Sequence, residues 1–179
     1  MGQLKDGSRE GLGVLIYQNG RIYEGEWLKD QRSGKGFEVF TSGCRYLGQY
    51  SENKAHGQGQ YNWPNGELYE GEFAHGIKQG KGLWKGIQGD SYVGEWQNGQ
   101  PHGQGVHCWL NGDRYEGEFQ KALKHGQGTD IFQNGDSYTG SYAEGKPNGQ
   151  GQYKWRNGAS YIGEFKNGRK EGHGKWRKS

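Results

Sequence analysis

Residues 57–73 read GQGQYNWPNGELYEGEF. Gly57 and Gly59 lead to Trp63, then to Asn65-Gly66, and then to Tyr69, Gly71 and Phe73 at intervals of two. An interval of two sets those last three residues on one face of an extended strand. Asn-Gly between aromatic runs signals a tight hairpin, because both residues tolerate the positive φ of a type I′ turn. The stretch therefore reads as strand, turn, strand. Outward from it, in steps of 23, the tyrosine recurs as Tyr23, Tyr46, Tyr69, Tyr92, Tyr115, Tyr138 and Tyr161. A glycine follows each at two residues and an aromatic at four: Trp27, Tyr50, Phe73, Trp96, Phe119, Tyr142 and Phe165. Gly-x-Gly keeps the same clock from Gly11/Gly13 to Gly172/Gly174.

A fixed period of this length marks an array of identical supersecondary units. The units run over 11–33, 34–56, 57–79, 80–102, 103–125, 126–148 and 149–171, with partial units at 1–10 and 172–179. Two strands and a connector per unit predict an all-β fold, an elongated, twisted single-layer antiparallel meander of repeated β-hairpins. The first-strand ring of each unit is Tyr17, Phe40, Trp63, Trp109, Phe132 or Trp155. The fourth unit departs: Gly86 replaces that ring and Gln88-Gly89 replaces Asn-Gly, with Trp84 available to supply the ring, which suggests a softer point or a local bend. Hairpin register has two solutions. A two-residue turn pairs Tyr17 with Ile22 and turns it away from Tyr23, whereas a three-residue bulged turn sets both rings on one face, and the bulged form is the expectation.

Composition narrows the function. Only 29% of the chain is hydrophobic, too little for a thick core, yet 14% aromatics with 37 glycines is not the make-up of a disordered chain. The net charge of +3 is too small for a dedicated nucleic-acid binder. Cys44 and Cys108 stand in different units, which fits a reducing compartment better than a disulfide framework. No run reaches the ~20 apolar residues of a membrane span, and the first residues lack a signal-peptide core, so the chain reads as soluble and cytosolic.

Catalytic and metal motifs dissolve into the repeat. His56, His102 and His125 hold one position, just before Gly-x-Gly, where Ser33, Gln79, Asn148 and Glu171 also stand. That spread suits a connector, and two strands of ~9–10 Å separate successive histidines, too far to share a zinc. Glu26, Glu72, Glu95, Glu118 and Glu164 read as a solvated polar row opposite the aromatic face. Gly140 to Lys146 mimics a phosphate loop, but Pro147 stands where Ser or Thr is needed and no helix follows. The expectation is no enzyme, no metal and no cofactor.

The combination of Gly-x-Gly, first-strand ring, Asn-Gly and Tyr-x-Gly-x-aromatic resembles the MORN repeat (membrane occupation and recognition nexus) over essentially the whole chain. The resemblance implies a twisted β-sheet and a place among junctional membrane proteins, cytoskeletal scaffolds or the regulatory ends of lipid kinases. It also implies two kinds of ligand, a partner helix along an aromatic-lined groove or phosphoinositides.

Two functional readings stay open. In the first, the face bearing Tyr23, Trp27, Tyr46, Tyr50, Tyr69, Phe73, Tyr92, Trp96, Tyr115, Phe119, Tyr138, Tyr142, Tyr161 and Phe165 accepts a protein partner, an amphipathic helix. In the second, the chain sits on anionic phospholipid through its basic end, where Lys154, Arg156, Lys166, Arg169, Lys170, Lys175, Arg177 and Lys178 face only Glu164 and Glu171. The chain starts and stops within units and carries no capping segment, so it reads as a piece of a longer array. Its open edges predict a monomer with at most weak end-to-end association.

Overall fold

A computed structural model describes residues 2–179. Every regular element among them is a β-strand, and the chain divides into two compact units, one up to Ile87 and one from Gln88. The division falls at the turn of the one repeat whose sequence departs. The first unit holds β1 (Gly2–Lys5), β2 (Ser8–Ile16), β3 (Ile22–Leu28), β4 (Gln31–Val39), β5 (Arg45–Ser51), β6 (Lys54–Asn62), β7 (Leu68–Ala74) and β8 (Ile77–Lys85). The second holds β9 (Ser91–Gln97), β10 (Gln100–Cys108), β11 (Arg114–Gln120), β12 (Leu123–Ile131), β13 (Ser137–Ala143), β14 (Lys146–Lys154), β15 (Ser160–Lys166) and β16 (Arg169–Arg177). Within each unit, strands consecutive in sequence pair antiparallel, as the repeat predicts.

The turns correct the sequence reading. At Asn19-Gly20 the glycine alone has a positive φ, 87°. Gly20 N donates to Tyr17 O and Tyr17 N to Arg21 O, both at 2.9 Å, so three residues form the loop and the bulged register holds. Tyr17 and Tyr23 therefore share a face. Asparagine contributes an acceptor instead of a left-handed backbone: Asn65 Oδ1 takes the Glu67 N–H at 3.0 Å. The left-handed pair that a type I′ turn needs lies in the segments expected to be connectors, such as Lys29-Asp30 (φ 48° and 65°) and Asn98-Gly99 (φ 51° and 80°). Each repeat is thus two tight hairpins with no connector. His56, His102 and His125 lie inside β6, β10 and β12, not in loops.

Strands of seven and nine residues alternate, and a bulge absorbs the difference. Gly25 pairs with Gly36 but Trp27 with Arg32, which leaves Gly34 in the bulge at φ 61°. The two glycines of Gly-x-Gly thus have separate causes, the first a left-handed bulge and the second a ring. The Tyr23 ring lies across Gly25 and Gly36, where a Cβ added to Gly36 would meet the ring's Cε2 at 2.6 Å. The two paired glycines together form a slot, and the tyrosine of β3 fills it.

That packing builds a core on one face of the sheet. Tyr23 meets Trp27 edge-on at 5.0 Å and Tyr50 of the next repeat at 5.2 Å. Tyr115 does the same with Phe119 at 5.0 Å and Tyr142 at 5.1 Å. Edge-to-face pairs of this kind add about 0.5–1.5 kcal/mol each beyond area burial. The opposite face stays open and displays Leu12, Ile16 and Leu47.

Candidate interaction face

Within each unit the rings assigned to the aromatic face lie together, and all fourteen are between 0% and 7% exposed. They form the floor of the face and its core, not a surface with much area of its own. Burial drives the phenols upward, Tyr23 and Tyr138 to about 12 and Tyr46, Tyr69, Tyr92 and Tyr115 further. Each of these hydroxyls has a fixed acceptor in its own strand, as Tyr23 Oη donates to Glu26 O at 2.8 Å.

What the face presents outward is a second row, half-buried. In the first unit it comprises Tyr17, Phe40, Tyr61, Trp63 and Trp84, and in the second His107, Trp109, Phe132, Tyr153 and Trp155. Tyr61 packs on Trp63 at 4.6 Å, and His107 stacks on Trp109 at 4.2 Å, where burial lowers the imidazole's pKa. Trp84 sits opposite Tyr69 in the position that Tyr61 and His107 hold in their repeats. It is the regular occupant there and does not replace the ring missing at Gly86.

Cations bridge the two rows, a feature the sequence reading missed. Two residues before each Gly-x-Gly stand Arg9, Arg32, Ala55, Lys78, Pro101, Lys124, Pro147 and Lys170. Arg32 lies 5.6 Å over Tyr23 and 5.2 Å over Tyr50. Lys124 lies 4.7 Å over Trp109 and 4.9 Å over Tyr115. Lys170 is ringed by Trp155 at 4.3 Å, Trp176 at 4.8 Å and Tyr153 at 5.2 Å. Burial lowers the Lys170 pKa.

Two repeats add a buried acid four residues after the first glycine. Glu38 accepts from Arg21 Nε, from Arg32 Nη1 at 2.8 Å and from Tyr50 Oη at 2.8 Å. Asp130 accepts from Lys124 Nζ and from Tyr142 Oη at 2.8 Å. In the repeats holding these acids, the aromatic twelve residues later is a tyrosine, whose hydroxyl the acid needs.

The recurring carboxylates lie opposite the rings, with Glu26, Glu95 and Glu164 exposed, and they also have a local duty. Glu26 Oε1 accepts the Lys35 N–H at 2.8 Å, Glu72 that of Lys81 at 3.0 Å and Glu118 that of Gln127 at 2.9 Å. Each satisfies the backbone donor that the bulge releases from the ladder, and Gln49 serves Gln58 likewise at 2.9 Å. Among the described residues no three His, Cys, Asp or Glu side chains come close enough to hold a metal.

The basic end is divided between the faces. Strand alternation puts Lys154, Lys166, Arg169, Lys175 and Arg177 on the face opposite the rings, along Ser160 and Ile162. Lys170 belongs to the ring face. Lys166 pairs with Arg169 at the turn and approaches Glu171 at 3.7 Å. Arg156 lies in the preceding turn, where its N–H donates to Asp136 at 2.9 Å, and Lys178 follows β16.

Comparison with known proteins agrees with this geometry. The sequence profile of the MORN repeat matches residues 1–20, 23–45, 46–67, 69–91, 92–114, 115–137, 138–160 and 161–179. Among curated protein sequences no relative matches. The TCP10 domain of Danio rerio CPAP is similar in structure, with a TM-score of 0.50 at 10% identity over 89% of this chain and 74% of that one. The SAS-4 (dCPAP) TCP domain of Drosophila melanogaster, solved with a proline-rich motif of Ana2, gives a TM-score of 0.48 at 9% identity over 84% and 76%. At such identities the likeness is one of fold. The repeat profile covers the chain from end to end in eight segments, and the chain belongs to the MORN-repeat family.

Proposed function

We propose that the chain is a non-catalytic protein-interaction module that receives an amphipathic partner helix on its ring-bearing face. The observation that carries this reading is the layered construction of that face. A floor of buried rings fixes a half-buried outer row of Trp, Tyr and Phe, and Arg and Lys side chains cross between them. Rigid aromatics and arginines give large contact area for little conformational entropy, and they are the residues that dominate protein interfaces. The basic end gives the phospholipid reading less support than the ring face gives the protein one, since Lys170 is drawn among the rings and Lys166 approaches Glu171.

Helical peptides selected from a displayed library against the protein test the proposal. Trp63→Ala and Trp109→Ala are expected to weaken their binding, while Thr129→Lys on the opposite face leaves it unchanged. Binding that is lost with Thr129→Lys and retained in both tryptophan variants would place the partner on the wrong face. Sedimentation with phosphatidylserine vesicles over a salt series tests the other reading, for which binding must fall steeply as salt rises.

A further inference from the structure

The position two residues before Gly-x-Gly carries a long cation in five of eight repeats, and each lies over rings of the ring face. In the unit spanning 34–56 it is Ala55, paired with Tyr50 across the strands. No side chain reaches over the local rings from there, and a recess of about 300 Å³ opens in the first unit. That is the lower end of the range for ligand clefts, ~300–1,000 Å³, and suits a single side chain. Its walls include Phe40, Tyr46, Tyr61 and Phe73.

The charge around the recess is unbalanced. Arg21, Arg32 and Lys54 line it against one carboxylate, Glu38. Glu38 is held by Arg21 Nε and both its oxygens by Arg32 Nη1, while Lys54 is exposed at the rim. A partner cation would meet three like charges there, and a partner anion is attracted. We propose that the Ala55 recess is an anchor site for an acidic segment of a protein partner, with one aromatic side chain inserted among the four rings and flanking carboxylates facing Arg21 and Lys54. The inference rests on the reading of this face as the partner surface, and it adds the partner's chemistry and its point of attachment.

The repeats themselves supply the test variant. A basic side chain already stands at this position in five other units, so Ala55→Lys and Ala55→Arg are compatible with the fold and fill the recess. The probe is acetyl-Glu-Asp-Phe-Glu-Asp-amide, titrated against the labelled protein while backbone amide shifts are followed. Saturable shifts are expected at Phe40, Ala55 and their neighbours. Either Ala55 variant should weaken binding about tenfold or more with an unchanged urea midpoint, whereas Pro147→Lys, the same position in the second unit, leaves it unaltered. Replacement of the peptide's Phe by Ala should cost a similar factor, and acetyl-Lys-Lys-Phe-Lys-Lys-amide should not bind. Equal affinity for the Ala55 variants, equal affinity of the Phe-free peptide, binding of the basic peptide, or no saturable shift at millimolar peptide each overturns the proposal. Library-selected helices that still need Trp63 in an Ala55→Lys background would leave the proposed function standing and remove only the recess.

Discussion

At the scale of single residues, the repeat's glycines are not interchangeable, and the difference is measurable. Gly36 is a contact glycine: its missing Cβ is the space occupied by the Tyr23 ring at 2.6 Å. Gly66 is a conformational glycine, at φ 95° with nothing within 4 Å of a built Cβ. Gly36→Ala should destabilise the first unit by about 3 kcal/mol through overpacking. Gly66→Ala should cost only about 1–2 kcal/mol of left-handed strain. Urea midpoints, with near-UV circular dichroism to report the rings, separate the two, and equal costs would contradict this division of labour. Glu38 offers a second residue-scale prediction. It is 2% exposed and holds Arg32 and Tyr50, so Glu38→Ala leaves the half-buried Arg32 without its carboxylate and the buried Tyr50 hydroxyl without an acceptor, and should cost about 2–3 kcal/mol. Glu24→Ala on the exposed position of β3 should cost under about 0.5 kcal/mol by the same urea measurement.

At the scale of elements, the turn types decide what a substitution does. The Lys121-Ala122 turn between β11 and β12 sets both residues left-handed, at φ 50° and 65°. Alanine there bears the steric cost of its Cβ against the following carbonyl, about 1–2 kcal/mol. Ala122→Gly should therefore stabilise the second unit by about 1 kcal/mol, net of the added freedom of the unfolded chain, and raise its thermal midpoint. Substitution at Asn111, whose φ is not left-handed, should give no such gain when replaced by glycine. The Asn-Gly dipeptide was legible as a turn marker, but its geometry was not. Asparagine serves equally as a left-handed residue and as an Asx acceptor, and only the cross-strand pairing of Ile16 with Ile22 chooses between them.

At the scale of the whole molecule, the repeated buried phenols couple stability to alkaline pH. Folded Tyr23 and Tyr138 titrate at about 12, with Tyr46, Tyr69, Tyr92 and Tyr115 pushed higher still by burial, against ~10 for a free tyrosine. Above pH ~10 the unfolded chain releases these protons while the folded chain retains them, so unfolding is increasingly favoured. Stability contributed by the neutral rings is fully present below that pH and is lost as pH rises toward the folded values. Urea midpoints should be level from about pH 8 to about pH 9.5 and fall steeply by about pH 11, and a level profile through pH 11 would refute the coupling. The edges carry the other whole-molecule prediction. β16 presents Arg169, Lys175 and Arg177 with Trp176 64% exposed, so copies repel at low salt. Light scattering should show a monomer whose weak self-association grows with ionic strength over the screening range of ~8–10 Å, and a dimer that salt dissociates would contradict it.

The sequence by itself determined the period, the two strands per unit, the turn sites, the single face shared by Tyr, Gly and the second aromatic, and the family. These are legible because a strand's side-chain alternation and a glycine's or asparagine's turn preference are local properties that the period repeats until chance is excluded. Tertiary structure alone decided the rest. It set the left-handed pairs in the supposed connectors, gave Glu26 and its counterparts the bulge amides to satisfy, sank the fourteen rings into a floor, and drew Lys170 away from Lys154 and Arg177. The cation row was visible on the 23-residue clock at Arg9, Arg32, Lys78, Lys124 and Lys170, but its meaning was not. Which ring a cation covers depends on which strand lies beside it and on the two residues the bulge inserts. Burial, bulges and charge pairing are settled between strands, where sequence spacing carries no information about the partner across the ladder.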